Sequence, residues 1–209
     1  MLLACLDLEG VLIPEIWISV AETTGIPELR RTTRDEPDYD VLMRYRLEIL
    51  DLHGLGIHEI ERAVDKLEPL PGACDFLDWL RERYPVIILS DTFLSFARPL
   101  LAKLGHPAVL CHDLAIDARG RIEDYLLRMP DQKRAAIRAF RGLQYQTIAT
   151  GDSYNDTAML AEADAGILFR PPQNVIDEFP QYPVAQSYDE LRAAFEAAEQ
   201  RISKGRSGR

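Results

Sequence analysis

Cysteine is scarce in this sequence: Cys5, Cys74 and Cys111 are the only ones, an odd number with no CxxC spacing, each in an apolar neighbourhood. That excludes a disulfide framework and predicts reduced, buried thiols in a cytoplasmic protein. Positive charge is short as well. Against 34 Asp and Glu stand 24 Lys and Arg, and the net charge of −10 argues against nucleic acid or an anionic membrane as a partner held by diffuse attraction. A phosphate substrate would therefore need a local basic site. No window approaches the roughly 18 uncharged apolar residues of a membrane span, and the start MLLACLDLEG has no basic leader region, so neither membrane insertion nor export is expected. His53, His58, His106 and His112 form no HExxH and no paired spacing with the cysteines, which leaves them as surface or packing residues. There is no internal repeat and no low-complexity tract.

What is present is apolar content enough for a substantial core, 47% of 209 residues. Short apolar runs at 2–8, 86–90, 107–111, 147–151 and 165–169 end in polar residues or glycine and predict buried strands. Helical patterns at 72–83, 93–104, 131–141 and 154–163 lie between them, the alternation of a three-layer, Rossmann-like α/β core with a parallel sheet. The interval 14–71 breaks that pattern. IWISVAETTG, YDVLMRYRLEILDLHG and IHEIERAVDKL predict three amphipathic helices separated by glycine stops and the turn TTRDEPD. The organisation expected is a core of 1–13 and 72–201, a helical cap of 14–71 and a disordered basic tail of 202–209. A hairpin around DARGR is expected within 112–129, and the PPQN and FPQYPV segments are read as connections.

In a doubly wound sheet the ligand crevice lies outside the carboxyl ends of the strands. The first strand ends in Asp7 and Glu9, VIILS ends in Ser90, TIATG runs into Asp152 with Asn155 and Asp156 behind it, and Lys133 opens a helix. One cation, one hydroxyl and four carboxylates suit a phosphoryl group with Mg2+, which takes hard oxygen ligands and only one or two protein carboxylates. Asp7 and Asp152 are the first candidates to hold it. Asp7 can attack phosphorus to give an aspartyl phosphate, splitting one hard displacement into two easier ones. Glu9, two residues on and aimed the same way by the pleat, can protonate the leaving oxygen and later take a proton from water. Lys133 would neutralise phosphate charge and Ser90 would donate a hydrogen bond to a phosphoryl oxygen. The helix opening near Ser153 adds backbone N–H groups that favour an anion. Each feature alone has an ordinary reading, a surface turn for DxE and N-capping for GDSxND. Order and spacing carry the argument.

In that order and spacing the chain resembles the haloacid dehalogenase-like phosphohydrolase superfamily, through Asp7-Leu8-Glu9-Gly10-Val11, Ser90, Lys133 and Gly151-Asp152-Ser153-Tyr154-Asn155-Asp156. The resemblance implies a type-one cap at the helical insertion. It also implies Mg2+ held by Asp7, Glu9 (through its carbonyl or its carboxylate) and Asp152, with Asp156 one layer behind. The phosphoserine phosphatase branch fits best, with Glu15 and Arg46 matching the residues that bind the substrate's ammonium and carboxylate and with Ser90, Asp91, Lys133 and Asn155 around the phosphate. An arginine can clamp a carboxylate bidentately and a glutamate can pair an ammonium. CLDLEGVL, PEIW, DYDVLM, LSDTF and GDSYND further resemble the bifunctional bacterial members of that branch, which hydrolyse phosphoserine and also pass its phosphoryl group to homoserine. Two departures stand out. Glu9 replaces the branch's usual aspartate, and Ser90-Asp91-Thr92 replaces Ser-Gly-Gly, which suggests that Asp91 helps distinguish the acceptor. The rival readings are a phosphatase for another small phosphomonoester and a phospho-aspartate receiver module, which lacks both the helical insertion and an acid two residues past its aspartate. Apolar cap surface leaves room for a homodimer.

Overall fold

The computed structural model describes residues 1–33, 35–36 and 38–207, so that Arg34 and Pro37 of the TTRDEPD turn and residues 208–209 of the tail lie outside the described residues. The first strand, β1 (Leu2–Leu6), is buried along nearly its whole length and leads into a helical stretch made of α1 (Ile16–Thr24), a 3-10 turn (Pro27–Arg30), α2 (Tyr39–Leu52) and α3 (Ile57–Val64). Alternation follows: α4 (Ala73–Arg81), β2 (Val86–Phe93), α5 (Leu94–Lys103), β3 (Val109–Ile116), β4 (Ile122–Leu126), α6 (Gln132–Gly142) and β5 (Gln146–Gly151). The chain closes with α7 (Thr157–Glu162), β6 (Ala165–Phe169), α8 (Gln173–Glu178), β7 (Val184–Ala185) and α9 (Tyr188–Ser207).

The sheet runs in the order β4-β3-β2-β1-β5-β6-β7, parallel throughout except for the antiparallel β3–β4 pair. Strand β1 is flanked by β2 and β5, both parallel to it, so the strand order reverses there and the crevice at the switch point falls just past its end, at Asp7. Among the described residues of 14–71 there is no named strand, as expected, but their helices share the core: Ile16, Val20, Ile60 and Val64 lie in one apolar cluster with Phe76, Phe96 and Leu100.

Several boundaries shift. The strand expected at 107–111 continues to Ile116 as one arm of the hairpin, and the strand expected to stop at Ser90 continues to Phe93. Its register against β3 breaks between Leu89 and Phe93, an irregularity of the kind that re-aims side chains beside a site. The proline-punctuated segments are partly regular, since α8 and the two-residue β7 lie there. The last helix passes the expected stop at 201 because Leu191, Phe195, Ala198 and Ile202 continue one apolar stripe onto the core. Its first residue, Tyr188, stacks on Phe76 and donates its hydroxyl to the Val11 carbonyl at 2.7 Å. The three cysteines are free thiols, but only Cys5 is buried; Cys74 is exposed because it sits on the outer side of α4, whose inner side is Ala73, Phe76, Leu77 and Leu80. Among the described residues no helix is long and apolar enough to cross a membrane.

Candidate active site

β1 ends at Leu6, and the next residues turn back tightly: Leu12 and Ile13 both donate backbone hydrogen bonds to the Leu8 carbonyl, and Gly10 donates to that of Ile13. Gly10 has φ of +75°, and a Cβ there would lie 2.5 Å from the Asp152 carboxyl carbon, so conformation and space both demand glycine. This turn separates the two acids. Asp7, held by its backbone N–H on the Thr150 carbonyl at 2.9 Å, faces the sheet end. The Glu9 carboxylate instead accepts from the Ile16 N–H at 2.9 Å, at the N-terminus of α1, where unpaired N–H groups and the helix dipole favour a carboxylate. The pleat does not carry from Asp7 to Glu9, because the strand has already ended.

Asp7, Asp152 and Asp156 place one carboxylate oxygen each within 4.8 Å of one another, all three residues buried. The Glu9 carboxylate is not part of this cluster, which leaves Glu9 its backbone carbonyl for a metal, and Asp156 adjoins the cluster from behind, through the 3-10 turn Tyr154–Asp156. One Asp156 oxygen accepts from the N–H groups of Asp152 and Ser153 at 3.0 and 3.3 Å, and the other from Lys133 Nζ at 2.7 Å. Lys133 Nζ also reaches Asp7 Oδ1 at 2.8 Å and Asp91 Oδ2 at 3.4 Å. Burial alone would neutralise this lysine, but Asp156, Asp7 and Asp91 outweigh it and hold its pKa well above the ordinary value. Asp7 is pushed the other way from a simple ion pair: burial, then Asp156, raise its pKa against Lys133. Asp7, Asp91, Asp152 and Asp156 thus outnumber the one buried ammonium among them, an excess of acid that a divalent cation would offset.

Ser90 is buried at the end of the regular part of β2, its Oγ accepting from the Thr92 N–H at 3.2 Å. Asp91 beside it is held on one oxygen by Gln132 Nε2 at 3.0 Å and faced there by His112 Nε2 at 3.5 Å, while its other oxygen takes Asn155 Nδ2 at 3.3 Å. His112 accepts the Arg128 N–H on Nδ1 at 3.1 Å, which leaves the proton on the nitrogen facing Asp91. Burial would raise Asp91, but Lys133, His112, Gln132 and Asn155 together hold it well below the usual carboxylate range.

The cap side of the cavity is built from α1 and α2. Arg46, buried, donates from Nη2 to the Arg31 carbonyl at 2.8 Å and lies with its guanidinium 4.4 Å from the Trp17 ring centroid, while its Nε is buried without a partner. Burial lowers its pKa to about 10. Burial and the neighbouring Glu15 push Glu9 up to about 8, against Ile16 N–H, Arg46 and Lys133. Asp7, Glu9, Glu15, Arg46, Ser90, Asp91, Lys133, Asp152 and Asn155 all line one cavity of about 60 Å3, with Asp156 buried behind its floor. Sequence reasoning misses Trp17, Tyr39, His112 and Gln132. Tyr39 donates its hydroxyl from α2 to the Asp91 carbonyl at 2.9 Å and so ties cap to core. An isolated aromatic, histidine or glutamine outside any motif gives no signal that distinguishes it from an ordinary packing or surface residue.

The haloacid dehalogenase-like hydrolase family matches residues 3–164. The chain is 58% identical over 199 residues to a phosphoserine phosphatase of Pseudomonas syringae pv. tomato, covering 95% of this chain and 84% of that one. It is 57% identical over 199 residues to phosphoserine phosphatase ThrH of Pseudomonas aeruginosa, covering 95% of this chain and 97% of that one. Among solved structures, a substrate-bound phosphoserine phosphatase superimposes with a TM-score of 0.77 at 20% identity, over 93% of this chain and 97% of that chain, a likeness of fold.

Proposed function

The chain belongs to the haloacid dehalogenase-like hydrolases, and from that premise we propose that it is a Mg2+-dependent phosphoserine phosphatase that also transfers the phosphoryl group to homoserine. The observation that carries this reading is one cavity with two chemically distinct walls: Asp7, Lys133 and the acidic cluster on one side, Glu15 and Arg46 on the other. The first wall suits a phosphoryl group and the second an amino acid's ammonium and carboxylate. The relatives at 57% and 58% identity, both named phosphoserine phosphatase, support the substrate.

Asp7, Asp152 and the Glu9 carbonyl would hold the Mg2+, with Asp156 one layer behind, and the ion's charge would offset their excess and draw electron density from the phosphoryl oxygens. Arg46 offers its guanidinium to the substrate carboxylate and Glu15 pairs the ammonium. An oxygen of Asp7 forms a bond to phosphorus as the bond from phosphorus to the serine oxygen breaks, and Glu9 gives that oxygen a proton. Its raised pKa suits a group that arrives protonated. In the second half a hydroxyl, from water or homoserine, attacks phosphorus, its proton passes to Glu9, and Asp7 leaves as carboxylate. Lys133 balances the charge of Asp7 throughout and Ser90 donates to a phosphoryl oxygen. In this reading 14–71 act as the cap, and Asp91, in place of a bare glycine, helps select the acceptor. Free thiols at Cys5, Cys74 and Cys111 are in keeping with a reducing, cytoplasmic setting.

The test is to incubate the protein with phosphoserine and Mg2+, with and without homoserine, and resolve inorganic phosphate from phosphohomoserine, alongside a panel of sugar phosphates. Product from Asp7→Asn would falsify the covalent mechanism. Turnover of the sugar phosphates with none of phosphoserine overturns the Glu15 and Arg46 assignment, and an unchanged hydrolysis-to-transfer ratio in Asp91→Gly removes Asp91 from acceptor choice.

A further inference from the structure

Beside the reaction cavity lies a second one, of about 370 Å3 against about 60 Å3. Tyr39, Asp91, Lys133 and Asn155 face both, so the two are chambers on either side of one partition. The outer chamber falls within the ~300–1,000 Å3 of small-molecule sites.

The outer chamber has a polarity of its own. Away from the partition it is lined by Leu127, Met129, Pro130 and Tyr154, and Leu127, Met129 and Tyr154 are 43%, 38% and 40% exposed, an apolar group left to solvent. Its carboxylates are Asp91 at the partition, 28% exposed and reached by Lys133 at 3.4 Å behind the closer Lys133 contacts to Asp7 and Asp156, and Asp131, 40% exposed and paired with Arg134. Gln132 and His112 fix the orientation of the Asp91 carboxylate from behind. A fixed carboxylate at the inner end and a short apolar wall at the outer end fit a small organic ammonium with a few methylenes, and the Asn155 amide beside Asp91 can hydrogen-bond its hydroxyl.

We propose that the outer chamber is an antechamber for the phosphoryl acceptor, binding a small amino alcohol while the phosphoryl group stands on Asp7 and passing it inward ahead of bulk water. This rests on the transfer reading given above. In the step it serves, the bond between phosphorus and the Asp7 oxygen breaks as the alcohol oxygen bonds to phosphorus. The alcohol's proton goes to Glu9 and Asp7 regains its carboxylate. Hydrolysis has the same balance with water in place of the alcohol, so the chamber alters only which hydroxyl arrives.

Met129 and Leu127 are exposed and lie outside the reaction cavity, so Met129→Trp and Leu127→Trp fill the outer chamber without changing a group placed in the chemistry. Homoserine is titrated against each protein at fixed phosphoserine and Mg2+, and phosphate and phosphohomoserine are measured separately. The homoserine concentration giving half-maximal transfer should rise about tenfold in the filled variants, with hydrolysis in its absence within about twofold of wild type. Equal loss of both activities makes the chamber a common entrance and overturns the proposal, as does no change in either. No transfer by the wild-type protein overturns the transfer reading itself, and that failure shows before any variant is made.

Discussion

Replacing Gly10 with alanine isolates the geometry of the acidic cluster from the stability of the fold. The residue has φ of +75°, where an L side chain costs about 1–2 kcal/mol. For a chain of this size each kcal/mol lowers Tm by about 2–4 °C, so the strain alone predicts a fall of about 2–8 °C. The contact is a separate matter. The new Cβ would stand 2.5 Å from Cγ and Oδ2 of Asp152, where carbon atoms rest at about 3.5–4.0 Å, so the carboxylate must retreat by about 1 Å. A misplacement of that size near the chemistry costs on the order of 10²-fold in rate. Gly25→Ala is the control: its φ is +73° and no heavy atom lies within 4 Å of its Cβ position, so it should lose similar stability and no activity. Thermal unfolding gives the first quantity, and phosphate release from phosphoserine across a Mg2+ titration gives the second. Gly10→Ala turning over within about threefold of wild type at every Mg2+ concentration would refute the placement of Asp152, and so would Gly25→Ala losing as much activity as Gly10→Ala.

Glu9→Gln keeps an acceptor for the Ile16 N–H but cannot move a proton, so steady-state hydrolysis of phosphoserine should fall by about 10²–10⁴ with little change in Tm. The burst of p-nitrophenol from p-nitrophenyl phosphate, whose leaving group needs no proton, should survive; loss of both contradicts the assignment. Lys133→Met strips Asp7 and Asp156 of their buried cation and should destabilise the metal-free protein by about 3–5 kcal/mol in urea unfolding. Mg2+ at about a hundred times its Kd should stabilise the wild-type protein by about 2.7 kcal/mol over a chelated sample, and a denaturation midpoint indifferent to Mg2+ removes the metal from the cluster.

Much of this arrangement is legible in the sequence where burial and chemistry impose separate patterns. β1, β5 and β6 read as strands because continuous apolar runs stop at a polar residue or glycine, and those stops supply Asp7 and Asp152. Glu9 shows where the reasoning fails. A continuing pleat would aim it with Asp7, but the strand ends at Leu6 and the Gly10 turn sends it toward α1 instead. Asp156 reads as standing behind the site, and a single 3-10 turn after Ser153 brings it there, behind the cavity floor and against Lys133. The partition between the chambers was not legible at all, because it joins β2, β3, α2 and α6 through His112, Tyr39 and Gln132, pairs that only the tertiary fold creates.

The hydrogen bond from Tyr188 to Val11 spans 177 positions and ties the first residue of the last helix to the loop that carries Glu9 and Gly10. During synthesis the amino-terminal strand emerges first, and its loop then waits for nearly the whole chain before this brace can form. A nascent chain released at residue 187 would contain every side chain that lines the reaction cavity, yet the turn placing Glu9 would lack its buried support. The loop that carries Glu9 therefore gains this brace only with α9, well after the last residue that lines the cavity has been made.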